Sequence, residues 1–171
     1  FNVIARSPLT GAFGESEAGG YWGPELKLAG FEAIIVTGRS PDPVYLWVKD
    51  GAAEIREARH LWGQDPPAVQ AAIREELGDR LVRVLQIGRA GENLVRYAMI
   101  MNELRHYNGR TGMGAVMGSK NLRAVAVRGS RRYADLAHDP GTLAELGKRL
   151  AKQIPEHPQA WDLRTKGTPG L

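Results

Sequence analysis

The chain has 171 residues, of which 43% are hydrophobic and 25% charged, enough ordinary globular material to bury a core in one domain or in one domain plus the start of another. Cysteine is absent, so this chain offers no disulfide, no thiolate metal site and no iron–sulfur ligand. The net charge of +4 is carried by residues not interleaved with aromatics, which reads as solvated surface rather than a nucleic-acid patch.

No apolar run reaches membrane-spanning length and no signal-peptide pattern opens the chain, so no membrane partner and a cytoplasmic location are expected. His60, His106, His138 and His157 lie far apart without metal-site spacing. Phe1 opens the chain inside an apolar stretch and Gly170-Leu171 closes it after a polar run, so a piece of a longer protein is expected.

In chain order, Phe1 to Ala5 predicts a strand and Glu25 to Ala29 a short helix. Phe31 to Val36 and Val44 to Val48, β-branched or aromatic and bounded by Gly and Pro, predict strands. Asp50-Gly51 marks a hairpin turn into Ala53 to Ala58. Pro66 to Leu77 places Val69, Ile73 and Leu77 on one face, with Asp65 before it and Gly78 after it, and predicts an amphipathic helix. Leu81 to Ile87 and Val95 to Met101 predict two strands, and Leu122 to Val127 a third.

From Asp139-Pro140 the pattern changes. Leu143, Leu146, Leu150 and Ile154 form one helical stripe that Pro155 ends, with a polar, unstructured run beyond it. A boundary is expected near residues 130–138, between an α+β part and the start of a helical part.

The run Asn108 to Asn121 contains Gly109, Gly112, Gly114 and Gly118 with Arg110, where a loop enters a helix. Glycine permits close backbone approach and a helix start presents unpaired N–H groups, so a negative ligand suits such a loop. Known nucleotide patterns do not fit. A Walker A loop needs Lys directly after its last Gly, and here Ser119 intervenes. The spacing G-x-G-x-x-x-G is one residue too long for the dinucleotide fingerprint, and the preceding residues are polar rather than a buried strand.

A second candidate loop, Glu15 to Lys27, again places glycines before a helix. Glu15 and Glu17 are not read as a catalytic pair, and Glu92 reads as a carboxylate capping a turn rather than an acid or base. Met113 and Met117, at helical spacing, read as packing residues. No catalytic residue is assigned to this chain.

An ordered set of motifs joins the two loops: Ser7-Pro8-Leu9-Thr10-Gly11, Gly19-Gly20-Tyr21-Trp22-Gly23 with Glu25-Leu26-Lys27, His60-Leu61-Trp62-Gly63, Ala90-Gly91-Glu92-Asn93-Leu94-Val95-Arg96, Met101-Asn102, and Gly109-Arg110 through Leu122. With these the chain resembles the N-terminal domain of the tungsten-containing aldehyde ferredoxin oxidoreductases over nearly residues 1 to 130. The resemblance implies an α+β fold, a β-rich cofactor-supporting domain over residues 1–132 followed by the beginning of a helical domain over 133–171.

It also implies a tungsten, or molybdenum, centre held by two pterins whose phosphates are bridged by magnesium. A [4Fe-4S] cluster would be bound by residues outside this chain. The implied whole protein oxidises aldehydes to carboxylic acids and passes electrons through the cluster to ferredoxin, and a homodimer is among its implied assemblies. The fragment alone is expected to be inactive.

Carried over position by position, the resemblance assigns pterin-phosphate binding to Glu17, Ala18, Gly19 and Gly20 and to His106, Tyr107, Gly109 and Arg110. Magnesium is assigned to Glu17 and to the Tyr107 carbonyl. This chain departs from the family pattern at three of these positions: Glu17 stands where Asn is frequent, His106 where Arg is common, and Tyr107 where a small residue is common. Two other functions stay open, a benzoyl-coenzyme A reductase type tungsten subunit and a non-catalytic phosphate-ligand binding module.

Overall fold

A computed structural model describes residues 1–170, which divide into two compact units, Phe1–Ser130 and a second from Arg131 onward. In the first unit, β1 (Asn2–Arg6) and β2 (Phe13–Glu17) form an antiparallel hairpin. A mixed six-stranded sheet contains β3 (Val44–Lys49), β4 (Ala52–Glu57), β5 (Arg83–Ile87), β6 (Ile100–Asn102), β7 (His106–Asn108) and β8 (Leu122–Arg128). Its order is β4-β3-β8-β5-β6-β7, and β3 with β8 is its parallel pair. The fold is α+β with a β-rich first unit, as the sequence predicts.

Each face of this sheet buries its own core. On one face α1 (Trp22–Leu28) and α4 (Met113–Ser119) cover Leu85, Ile87, Ile100, Val125 and Val127. On the other, α2 (Pro66–Glu76) brings Val69 and Ile73 onto Tyr45, Val84, Ala124 and Ala126. Period-two alternation along β5 and β8 assigns successive residues to opposite cores. α2 starts with Pro66 at its first turn and ends before Gly78, following the sequence signals.

α3 (Arg89–Glu92) is one turn lying against α4. Between β3 and β8 the register slips, with Val44 opposite Leu122 but Tyr45 opposite Ala124, so Arg123 is the extra residue of a bulge. The bulge turns the Arg123 side chain fully inside, where it donates to the carbonyls of Leu61 and Gln64 and lies 2.8 Å from a Glu92 carboxylate oxygen. Burial pushes its pKa down and the Glu92 charge opposes that.

Three expected strands differ. Residues 31–36 make no ladder: Gly30 and Gly38 flank them at positive φ, and Ile35 is 88% exposed. β-propensity without a neighbouring strand does not make a strand. Of Val95 to Met101 only the end enters the sheet as β6, because Leu94 turns the chain at φ +56°. Leu81 precedes β5 in a turn. Conversely, β2 and β7 have no counterpart among the expected strands; their inward residues are Gly14, Ser16 and Asn108, small or polar rather than apolar.

In the second unit, α5 (Tyr133–Leu136) precedes α6 (Pro140–Gln153), whose N-cap Asp139 accepts from Thr142 N–H at 2.9 Å. The polar run expected to be unstructured carries α7 (Pro158–Lys166). Among the described residues no helix is long and apolar enough to cross a membrane.

The Tyr45 hydroxyl, buried in the α2 core, donates to Glu76 at 2.6 Å, and burial followed by that hydrogen bond pushes its pKa up to about 12 from 10.0. The proton is held more tightly in the folded state, so its contribution is fully present below pH 10 and disappears as pH rises toward 12. Urea midpoints measured at pH 9 and 11 should therefore fall more in the wild type than in Tyr45→Phe.

Candidate functional site

The two glycine segments lie side by side in the first unit. β2 runs along β7, and their side chains and backbones interlock: Asn108 Nδ2 donates to the Ser16 carbonyl at 2.6 Å, and Arg110 N–H donates to Ser16 Oγ at 3.1 Å. Thr111 Oγ1 donates to the Glu15 carbonyl at 3.1 Å. Further along, Tyr21 N–H donates to Glu103 Oε2 at 2.9 Å, and Asn102 Nδ2 reaches the Gly19 carbonyl at 3.4 Å. Residues 17–20 thus form a strap along the β6–β7 hairpin, pinned before and after.

Glu17 closes β2 on its exposed side, with Glu15 on the same side by strand alternation. Ala18 extends the hairpin by exchanging hydrogen bonds of 3.0 Å with Phe1. Gly19 is exposed, and Gly20 sits at φ +88° against Asn102, Glu103 and His106, where a Cβ would collide with all three. An open concavity here is lined by Phe1, Asn2, Glu17, Ala18 and Gly19; it does not include the 106–110 segment.

His106 begins β7 on the side that faces Gly19 and Gly20, its Nε2 4.0 Å from Glu103 Oε2. Glu103 is also paired with Arg83 at 3.0 Å. Strand alternation sends the exposed Tyr107 side chain to the opposite face, away from the strap. Gly109 and Arg110 are exposed.

The N–H groups of Gly19, Gly20 and Gly109 have no protein acceptor among the described residues, and neither Arg110 nor Glu17 has an ion-pair partner there. Three free donors and a free guanidinium fit an anionic group. The free carboxylate of Glu17 fits one only with a cation between them. No cluster of three or more His, Asp or Glu gathers a metal on its own among the described residues.

The helix start itself is not a free anion site. Gly114 N–H donates to the Ala98 carbonyl at 2.9 Å, and a Cβ on Gly112, Gly114 or Gly118 would overlap the carbonyl oxygens of Arg96, Met99 or Gly91. These three glycines admit neighbouring backbone, and the donors left free are those of the segment before them. The anchoring residues Ser16, Asn102, Glu103 and Asn108 escaped sequence reasoning. Ser16 and Asn108 stand within the two candidate loops and Asn102 within a motif segment, but nothing in one sequence pairs them across the fold.

A family model described as aldehyde ferredoxin oxidoreductase, N-terminal domain, matches residues 1–129. The chain belongs to the aldehyde ferredoxin oxidoreductase family. It is 51% identical over 131 residues to the tungsten-containing aldehyde ferredoxin oxidoreductase of Pyrococcus furiosus, covering 77% of this chain and 22% of that protein. To the tungsten-containing aldehyde ferredoxin oxidoreductase of Pyrococcus abyssi it is 44% identical over 160 residues, 94% of this chain and 26% of that one.

Among solved structures, it is similar to the active-site complex of benzoyl coenzyme A reductase bound to 1,5-dienoyl-CoA, with TM-score 0.79 and 38% identity over 92% of this chain and 24% of the other. The chain therefore spans about a quarter of the length of these relatives.

Proposed function

We propose that the strap Glu17–Gly20 and the segment His106–Arg110 form a phosphate clamp for the pterins of a tungsten, or molybdenum, oxidoreductase. Residues 1–132 would support the cofactor and 133–171 begin the helical domain. The observation that carries this reading is the coincidence of three free backbone donors and an unpaired guanidinium on two segments hydrogen-bonded to each other. Arg110 supplies a permanent, planar, bidentate positive charge, and the glycine N–H groups let phosphate oxygens reach the backbone.

Glu17, beside the phosphates, calls for a cation between the two charges, and magnesium with the Glu17 carboxylate and the Tyr107 carbonyl as ligands meets that need. Tyr107 takes part through its carbonyl because its side chain lies on the other face. His106 adds an imidazole donor where the strap passes closest. When bound, the metal and its dithiolenes would supply two-electron redox chemistry; this chain's residues hold the phosphate end.

The full-length protein is proposed to oxidise aldehydes to carboxylic acids and to pass electrons through a [4Fe-4S] cluster, bound outside this cysteine-free chain, to ferredoxin. The second reading is a tungsten subunit of the benzoyl-coenzyme A reductase type, favoured by the 38% identity and TM-score of 0.79 to that complex.

In the full-length protein, Arg110→Ala removes a charge-assisted contact, and metal affinity is expected to fall roughly 10- to 100-fold. Tungsten and molybdenum per polypeptide, measured after dialysis, check this. Full metal retention in Arg110→Ala would rule out the clamp.

A further inference from the structure

We infer that Ser16 and Asn108 are positioning residues: a reciprocal latch that sets the spacing between the strap and the 106–110 segment before any ligand arrives. This rests on the phosphate-clamp reading. Each residue uses its side chain on the other segment's backbone or receives the other's: Asn108 Nδ2 donates to Ser16 carbonyl oxygen, and Ser16 Oγ accepts from Arg110 N–H. Both bonds run from the 106–110 segment to Ser16, one to its backbone carbonyl and one to its side-chain hydroxyl. They restrain sliding as well as separation.

Both side chains are inside the protein, Ser16 3% and Asn108 0% exposed, so neither is placed to touch a ligand. Their neighbours extend the same restraint. Ser7 Oγ donates to the Thr111 carbonyl at 2.8 Å, tying the β1–β2 hairpin to the residue after Arg110. Gly14 completes the fit, because a Cβ there would press on Ser7, Thr111 and Met113.

The side-chain amide oxygen of Asn108, Oδ1, has no partner although it is buried. An unsatisfied buried acceptor is unusual. Here the amide is turned by its bond to Ser16, and the geometry of the junction is kept at the expense of the other half of the group. A phosphate held by donors from two segments needs them at a fixed separation, and small displacements of such groups weaken binding steeply. The latch supplies that separation from inside, leaving Gly19, Gly20, Gly109 and Arg110 free on the outside.

The test uses hydrogen exchange and metal content of the full-length protein. In wild-type protein made without cofactor, the Arg110 amide should already be protected, because its acceptor is Ser16 rather than ligand. Exchange at the rate of an unstructured amide would overturn the latch.

In Ser16→Ala the Arg110 amide should exchange about fivefold faster, the loss of one hydrogen bond, with β8 amides unchanged. Tungsten per polypeptide should fall several-fold, and Ser16→Thr, which keeps the hydroxyl, should restore protection. Unchanged metal content in Ser16→Ala, or acceleration spread evenly over all amides, would overturn the proposal. If Arg110→Ala loses metal while Ser16→Ala does not, the latch fails and the clamp stands. If neither loses metal, both fail.

Discussion

Replacing Glu92 with alanine is expected to destabilise the first unit by about 3–5 kcal/mol, the cost of leaving a buried charge without its partner. Arg123 is fully inside, and the Glu92 side chain is only 4% exposed. The remaining acceptors of the guanidinium are neutral: the carbonyls of Leu61 and Gln64 and the more distant Gln86 side chain. Glu92 also accepts from Gly63 N–H at 2.9 Å, so its loss frees residues 61–64 at two points. Denaturant unfolding of the cofactor-free protein measures the effect. A loss below about 1 kcal/mol, typical of an exposed ion pair, would mean that water reaches Arg123.

Gly118→Ala is expected to cost about 3 kcal/mol or more, at or above the usual range for overpacking, because the added methyl meets backbone rather than a movable side chain. The carbonyl of Gly91 occupies the space, and the contact between α3 and α4 leaves neither helix room to shift without disturbing the 96–99 segment behind Gly112 and Gly114. Gly147 in α6, with open space around it, is the control: alanine there should be neutral or stabilising. Equal effects at both positions, read from unfolding midpoints, would contradict the close approach of α3 and α4.

Local patterning makes some elements readable in the sequence and leaves others hidden. α2 and α6 were legible because each carries a helical apolar stripe, Pro at its first turn and a stop signal. β3, β5 and β8 were legible because apolar side chains make their cores. β2 and β7 were not, since what they bury is backbone and amide: Gly14 is inside because β2 approaches Met113, and Asn108 because it holds Ser16. The Phe31 to Val36 run failed in the opposite sense, strand-forming residues without a ladder.

The glycine run was legible as glycines but not as to purpose. Gly112, Gly114 and Gly118 admit neighbouring carbonyls, while Gly109 and Arg110 keep their free groups on the surface. Distinguishing the two needs the position of residues 91–99, which no local spacing encodes. The same holds for Glu92: a structural role is legible from the lack of any catalytic partner at a recognisable spacing, but its ion-pair partner Arg123 is reached only through the bulge in β8.

The most direct test of the phosphate clamp is an experimental structure of the full-length, metal-loaded protein. Pterin phosphate oxygens are expected within hydrogen-bonding distance, about 2.7–3.2 Å, of the Arg110 guanidinium and of N–H groups in both 17–20 and 106–110. Phosphates held by other residues, with Arg110 and the strap glycines facing only water, would contradict it.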